Sequence, residues 1–173
     1  MTDVRIWAHV GILCEQRGSG WSGMRRRSQV SRARRAQISD EAHQVYSLSR
    51  IRGLTVNQIQ DELLASFPDE LEPGEARMYA EGWNVRVVRE GLRGQATEQG
   101  QDASALEDAD VWRWLRGEVY PRDSLMNLCR LFRCHQAKLG WPARGNERPI
   151  DFTPQVERAA APQSATRRTR FTR

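Results

Sequence analysis

The residues most able to do chemistry in this chain are its arginines. Lys138 is the only lysine among 27 cationic residues. Arg25, Arg26 and Arg27 stand together, and Arg32, Arg34 and Arg35 follow closely. A second basic stretch closes the sequence at 167–173. Arginines gathered in this way neutralise phosphates and release counterions, which is the electrostatic footprint of nucleic-acid binding. A codon bias toward arginine would produce the same excess in the tail. Other chemistry is sparse. Cys129, Cys134 and His135 follow a Cys-x4-Cys-His spacing that is not a zinc pattern; Cys129 reads as a small buried hydrophobe. No phosphate loop, dinucleotide fingerprint, Ser-His-Asp order or ligating His pair occurs, so neither an enzyme nor a metal or cofactor protein is expected. His9 and His43 have no partner legible in sequence.

Charge is distributed unevenly. Residues 1–37 carry eight Arg against Asp3 and Glu15; residues 38–143 carry an excess of acids; residues 144–173 are basic again, and the net charge is +5. This places an acidic middle between basic ends. The ends, 1–37 and 144–173, read as a flexible basic arm and a disordered basic tail. Three Cys fit a reducing cytosol rather than a disulfide framework. The apolar stretch from Ile6 to Cys14 is short and broken by His9 and Gly11, unlike a signal peptide. No run approaches the roughly 20 apolar residues of a membrane span. A cytoplasmic protein without membrane contact is the expectation.

The elements that must position these residues are helices. Ser39 or Asp40 can cap a helix to about Arg52, with Val45, Leu48 and Ile51 recurring at helical spacing and Gly53 as its stop. Thr55 and Gln58 form a capping box, with Leu54 and Ile59 at the staple positions; Ile59, Leu63, Leu64 and Phe67 make the buried stripe. Pro73 opens a third helix with Glu75 at its positive end, and Gly82 stops it. Asn84 caps a fourth, whose Val85, Val88 and Leu92 face inward. Residues 94–103 lack apolar periodicity and read as a loop. Ser104 and Glu107 propose a second capping box, opening a helix that ends at Gly117. Pro121 to Phe132 is another helix, and a last short one ends at Leu139-Gly140. Trp83 is expected in the core; Trp112 and Trp114 cannot share one face, so one of them is core. No strand-like alternation occurs between 38 and 142. The fold class is therefore all-α, a compact bundle of about seven short helices. Residues 38–72 read as a bracing region and 73–143 as the unit that carries function.

The order of motifs across 74–142 resembles the lambda-repressor-like (Xre/Cro-type) helix-turn-helix regulators. The residues that carry the likeness are the Gly82-Trp83-Asn84 junction, the Asp110-to-Gly117 block with Arg-Trp-Leu-Arg-Gly, Pro121, Leu128 to Phe132, and Leu139-Gly140-Trp141. It is closest to a subgroup of high-GC bacteria. The resemblance implies a DNA-binding transcriptional regulator, without enzyme activity or cofactor, that docks double-stranded DNA, as a homodimer on paired half-sites. It implies that the helix from about Ser104 to Arg116 enters the major groove and that the helix from Asn84 points its amino terminus at phosphate. Asn84, Arg86 and Arg122 would then touch the backbone, and Ser104, Asp110, Arg113 and Arg116 would lie on the DNA side. The chain departs from the pattern in four places. A linker at 94–103 replaces the tight turn; Glu107, Asp108 and Asp110 crowd the start of the groove helix; Leu115 stands where Glu is frequent; Arg89 replaces a small packing residue. These departures suit an alternative, a protein-interaction adaptor on a degenerate helix-turn-helix scaffold. RNA binding by the basic ends alone is a third reading.

Overall fold

The computed structural model describes residues 30–143 and 145–155. Arg25, Arg26, Arg27 and the basic stretch 167–173 lie outside the described residues. Six α-helices and one 3-10 turn follow in order: α1 (Arg32–Ile51), α2 (Val56–Ser66), α3 (Pro73–Ala80), α4 (Val85–Glu98), α5 (Asp108–Leu115), α6 (Leu125–Leu131) and the turn Gln136–Leu139. The fold is all-helical, with no strand longer than a single bridge among the described residues.

Local signals explain most of these boundaries. The Thr55 hydroxyl accepts from the Gln58 N–H while Gln58 Oε1 accepts from the Thr55 N–H at 2.9 Å, so α2 begins where its capping box says. Pro73 starts α3, and the Asn84 carboxamide accepts from the Val87 N–H at 3.1 Å to start α4. Three expectations are corrected. α1 begins at Arg32, about two turns before Ser39. Ser31 caps it, the Arg-Ala-Arg-Arg-Ala-Gln run is made of strong helix formers, and Arg34 clasps Glu70 through Nε at 2.9 Å and Nη2 at 2.7 Å. Residues 32–37 are thus helix, not arm. α4 continues through the expected loop to Glu98, because Gly94 alone does not end a helix whose Leu92 and Ala96 are buried. Residues 145–155 include a segment paired to the body: Gln136 N–H donates to the Ile150 carbonyl at 3.0 Å, Phe152 N–H donates to the Cys134 carbonyl at 3.3 Å, and Ile150 and Phe152 pack on the core.

α3 is the hub. Seven of its residues, Gly74 through Ala80, are buried. A Cβ at Gly74 would lie 2.5 Å from the Leu115 carbonyl oxygen, so only glycine lets α3 and the end of α5 meet this closely. Around it one cluster of buried side chains runs from Ile38 through Ile59, Leu63, Met78, Val88, Val111, Leu128 and Phe132 to Trp141. The helices of residues 38–72 and those of residues 73–143 share that core. Trp83 packs from its edge, 5.3 Å from Phe132 between ring centres; Trp112 and Trp114 are both half-buried against it.

Polar groups inside are paired across helices. The Arg77 side chain is 3% exposed; it donates to Asn57 Oδ1 at 2.7 Å, Glu81 Oε1 at 2.9 Å and the Phe132 carbonyl at 2.8 Å. Gln60 Nε2 donates to the carbonyls of Pro73 and Lys138 at 3.0 and 2.6 Å. On α1 the buried stripe is Ile38, Ala42 and Ser49, while Leu48 and Ile51 are 61% and 83% exposed. The helical spacing of these two does not turn them inward: Ser49 takes the inner position, where its hydroxyl donates to Glu62 at 2.5 Å.

Candidate nucleic-acid interface

The α4–α5 pair is set by side chains rather than by a tight turn. Arg93, next to the buried Leu92 of α4, donates to the carbonyls of Leu106 at 2.6 Å and Ser104 at 3.0 Å. Arg89 reaches Asp108 at 3.0 Å. Two arginines of one helix therefore grip the connection and the first residue of the next. Arg89 ties α4 to the start of α5 across the connecting segment.

α5 is shorter than expected. It starts at Asp108 with Glu107 as its cap, and the Glu107 N–H donates to Asp110 Oδ2 at 3.2 Å. The Ser104–Glu107 box does not form. Ser104 lies in the loop, its N–H donating to Asp102 Oδ1 at 2.8 Å; this and a hydrogen bond from the Ser104 side chain hold the Asp102 carboxyl below its ordinary range. Glu107, Asp108 and Asp110 sit where the positive end of a helix favours acids. They are part of how so short a helix starts.

The sequence-predicted contact residues separate into two groups. Arg86, Arg113 and Arg122 are exposed. Arg86 pairs with Glu90 at 3.0 Å, and Arg113, 52% exposed, pairs with Asp110 one turn earlier. Arg122 has no carboxylate partner among the described residues. Surface pairs of this kind are worth about 0–1 kcal/mol, so a phosphate can displace the carboxylates at little cost. Asn84 is exposed at the start of α4, its side-chain oxygen engaged in the cap. Asp110 spends both oxygens, one on Arg113 and one on the Glu107 N–H. It serves the helix start and is not poised to read a base.

Arg116 belongs elsewhere. Its side chain is 24% exposed and its Nε donates to Glu75 at 2.9 Å, with the guanidinium 4.4 Å from the centre of the Trp112 ring. Glu75, 5% exposed, also faces Arg35 of α1 at 3.6 Å and accepts from the Glu72 N–H at 3.4 Å. One residue expected in the basic arm and one expected on the groove helix thus converge on a single buried carboxylate. Sequence reading gave Glu75 only its role at the start of α3. Arg34 is likewise held by Glu70, and the hydrogen bond from Arg34 keeps the Glu70 carboxyl below its ordinary range. Arg32 is exposed at the start of α1.

No protein-family model matches the chain, and neither a characterised protein nor a solved structure matches it significantly. The resemblance to helix-turn-helix regulators rests on the order of motifs alone.

The remaining thiols and imidazoles do not add chemistry. Burial pushes the Cys129 thiol up to about 12 and the Cys134 thiol up to about 11, so both stay protonated and inert. His135 Nδ1 accepts from the Ala137 N–H and caps the 3-10 turn. His43 donates to the Ser39 carbonyl at 2.7 Å and meets the edge of Tyr79. Among the described residues no group of three or more His, Cys, Asp or Glu could hold a metal ion, and no helix is long and apolar enough to cross a membrane.

Proposed function

We propose that the chain is a DNA-binding regulator that sets α5 at the major groove and the capped start of α4 against the phosphate backbone. Its hold on DNA comes mainly from phosphate contacts. Arg86, Arg113 and Arg122 supply them from the folded body, and the arginine-rich segments at 25–27 and 167–173 add sequence-independent attraction. The observation that carries the reading is the α4–α5 pair itself: two consecutive helices locked by Arg89 and Arg93, whose exposed arginines are held by nothing stronger than surface ion pairs. Arg116 and Arg35 are left out of the contact set, because phosphate would have to take them from a buried carboxylate. A homodimer on paired half-sites completes the proposal, and sedimentation of the DNA-bound chain checks it.

The test is a polarisation titration of labelled genomic duplexes with the full chain at several salt concentrations. Binding is expected, weakening linearly on a log–log plot against salt. Replacing Arg113 or Arg122 by alanine reduces that slope by about 1 each. Absence of binding by the folded chain at low salt, or slopes unchanged by both substitutions, overturns the reading.

A second reading, an adaptor that docks a protein, is favoured by one observation. The first turn of α5 and its cap carry Glu107, Asp108 and Asp110, a short acidic ridge where base-reading residues would stand. Reversing the charge of Arg113 and Arg122 separates the two. It abolishes DNA binding under the first reading, and it leaves capture of a nuclease-resistant partner intact under the second.

A further inference from the structure

A cavity of about 310 Å³ opens between the start of α1, the middle of α3 and the end of α5. That volume falls at the lower end of small-molecule sites, roughly 300–1,000 Å³. Its inner wall is apolar, from Ile38 and Leu71, and two aromatic side chains, Trp112 and Tyr79, complete it. Around this apolar floor stand Arg32, Arg35 and Arg116.

The charge of the lining does not cancel. The lining carries three arginines, Arg32, Arg35 and Arg116, against two acids, Glu70 and Glu75, and both Arg35 and Arg116 face Glu75. Glu70, the other acid of the lining, is taken in bidentate fashion by Arg34, which is not part of the wall. Arg32 has no carboxylate partner among the described residues. The two paired arginines are oriented in advance by a buried acid, and the third is exposed at the mouth. A guanidinium fork recognises a planar carboxylate with two parallel hydrogen bonds, and a flat apolar body suits walls made of Trp112 and Tyr79. A small inorganic anion would leave those walls unmatched, and a neutral ring would leave the excess positive charge unanswered.

We infer that this cavity binds a small aromatic carboxylate, with its carboxylate toward Arg32 at the mouth and its ring against Trp112 and Tyr79. The site is independent of what the α4–α5 face docks. Its occupant would touch both α1 and α5, two helices that otherwise meet through Glu75.

Benzoate is the probe, with acetate and benzamide as partners that each remove one half of the recognition. The full chain is titrated while the side-chain indole N–H resonances are followed, and thermal unfolding is recorded in parallel. Benzoate is expected to shift the Trp112 indole signal to saturation and to raise Tm with concentration. Acetate and benzamide are expected to bind at least tenfold more weakly. Arg32→Glu, at an exposed residue with no ion pair to lose among the described residues, is expected to weaken benzoate at least tenfold, and Ala36→Trp, which fills the cavity from α1, is expected to do the same with the helical circular dichroism unchanged. If Ala36→Trp fails to fold, Arg32→Glu alone decides. No saturable shift with benzoate, equal binding of benzamide or acetate, or wild-type affinity in Arg32→Glu each overturns the inference.

Discussion

The junction around Glu75 and the outer face of the α4–α5 pair use the same side-chain chemistry to opposite ends. At the junction, Arg116 and Arg35 meet a carboxylate that is 5% exposed, and a ring covers one of the guanidiniums. On the outer face, Arg113 and Arg86 meet carboxylates that remain in water. A buried pair whose partner is removed leaves an uncompensated charge and costs several kcal/mol. An exposed pair loses about 0–1 kcal/mol, because water and salt already screen it. Counting arginines therefore says little about what a protein can offer to phosphate. Exposure decides, and it splits Arg113 on α5 from Arg116, three residues later at the cap of the same helix.

The largest way to break this comparison lies next to the junction. Arg77 on α3 is the most enclosed cation described, and it joins Asn57, Glu81 and the Phe132 carbonyl. Arg77→Ala strips three acceptors at once and leaves Glu81 without its buried partner. It is expected to destabilise the chain by about 3–5 kcal/mol, measured as a lower urea midpoint at unchanged m. A cost under about 1 kcal/mol would mean that burial does not set the strength of these pairs.

Glu75→Gln comes next. The amide keeps one acceptor for Arg116 but loses the charge that holds Arg35 and Arg116 together. The expected cost is about 1.5–3 kcal/mol, read in the same denaturation experiment. Because the α4–α5 face does not use this carboxylate, the salt dependence of DNA binding by the folded variant is expected to stay as in the parent. A changed slope would assign Arg116 to the DNA surface after all.

The reach of each interaction along the chain explains what was legible in the sequence. The caps at Thr55–Gln58 and Asn84 and the start at Pro73 involve residues at most three apart, so their signal is local and was read correctly. The all-helical class followed from apolar spacing. The early start of α1 depends on Arg34 meeting Glu70, 36 residues away, and the inward turn of Arg116 depends on Glu75, 41 residues away. Neither distance leaves a mark on local pattern, so a basic helix read as an arm and a core-facing arginine read as a DNA contact. Leu48 and Ile51 misled for a related reason. Their spacing is helical, but Glu62 on α2 makes Ser49 the better inner residue. Residues 150–152 have too few apolar side chains to announce a packed segment, and their pairing is to a turn rather than to a repeating element.

The two buried thiols sharpen the comparison from the alkaline side. Burial raises Cys129 to about 12 and Cys134 to about 11, while both return to about 9 when the chain unfolds. The folded pKa lies above the unfolded one. The unfolded chain therefore loses these protons first, and stability is whole below about pH 9 and falls as pH rises from there toward 11. A urea midpoint that declines over that window is expected, and replacing both cysteines by alanine flattens the decline. Native-state alkylation of Cys129 and Cys134 at pH 8, read peptide by peptide, is expected to be slow and to become fast on unfolding. Rapid alkylation of either of these two cysteines in the folded chain would place it in solvent.

The smallest effect is the most diagnostic for the outer face. Arg113→Ala removes an ion pair that is half in water and that spans a single turn of α5. The loss in stability is expected to stay below about 1 kcal/mol, and it is expected to shrink further at high salt, where screening has already weakened the pair. Asp110 keeps its second oxygen on the Glu107 N–H, so the helix start survives and the chain stays folded for a binding measurement. A small thermodynamic change alongside a clear loss in DNA affinity is the pattern that a functional surface cation must give. Were Arg113→Ala to cost as much stability as Glu75→Gln, the division between structural and exchangeable arginines would fail, and the assignment of the α4–α5 face to phosphate would lose its physical basis.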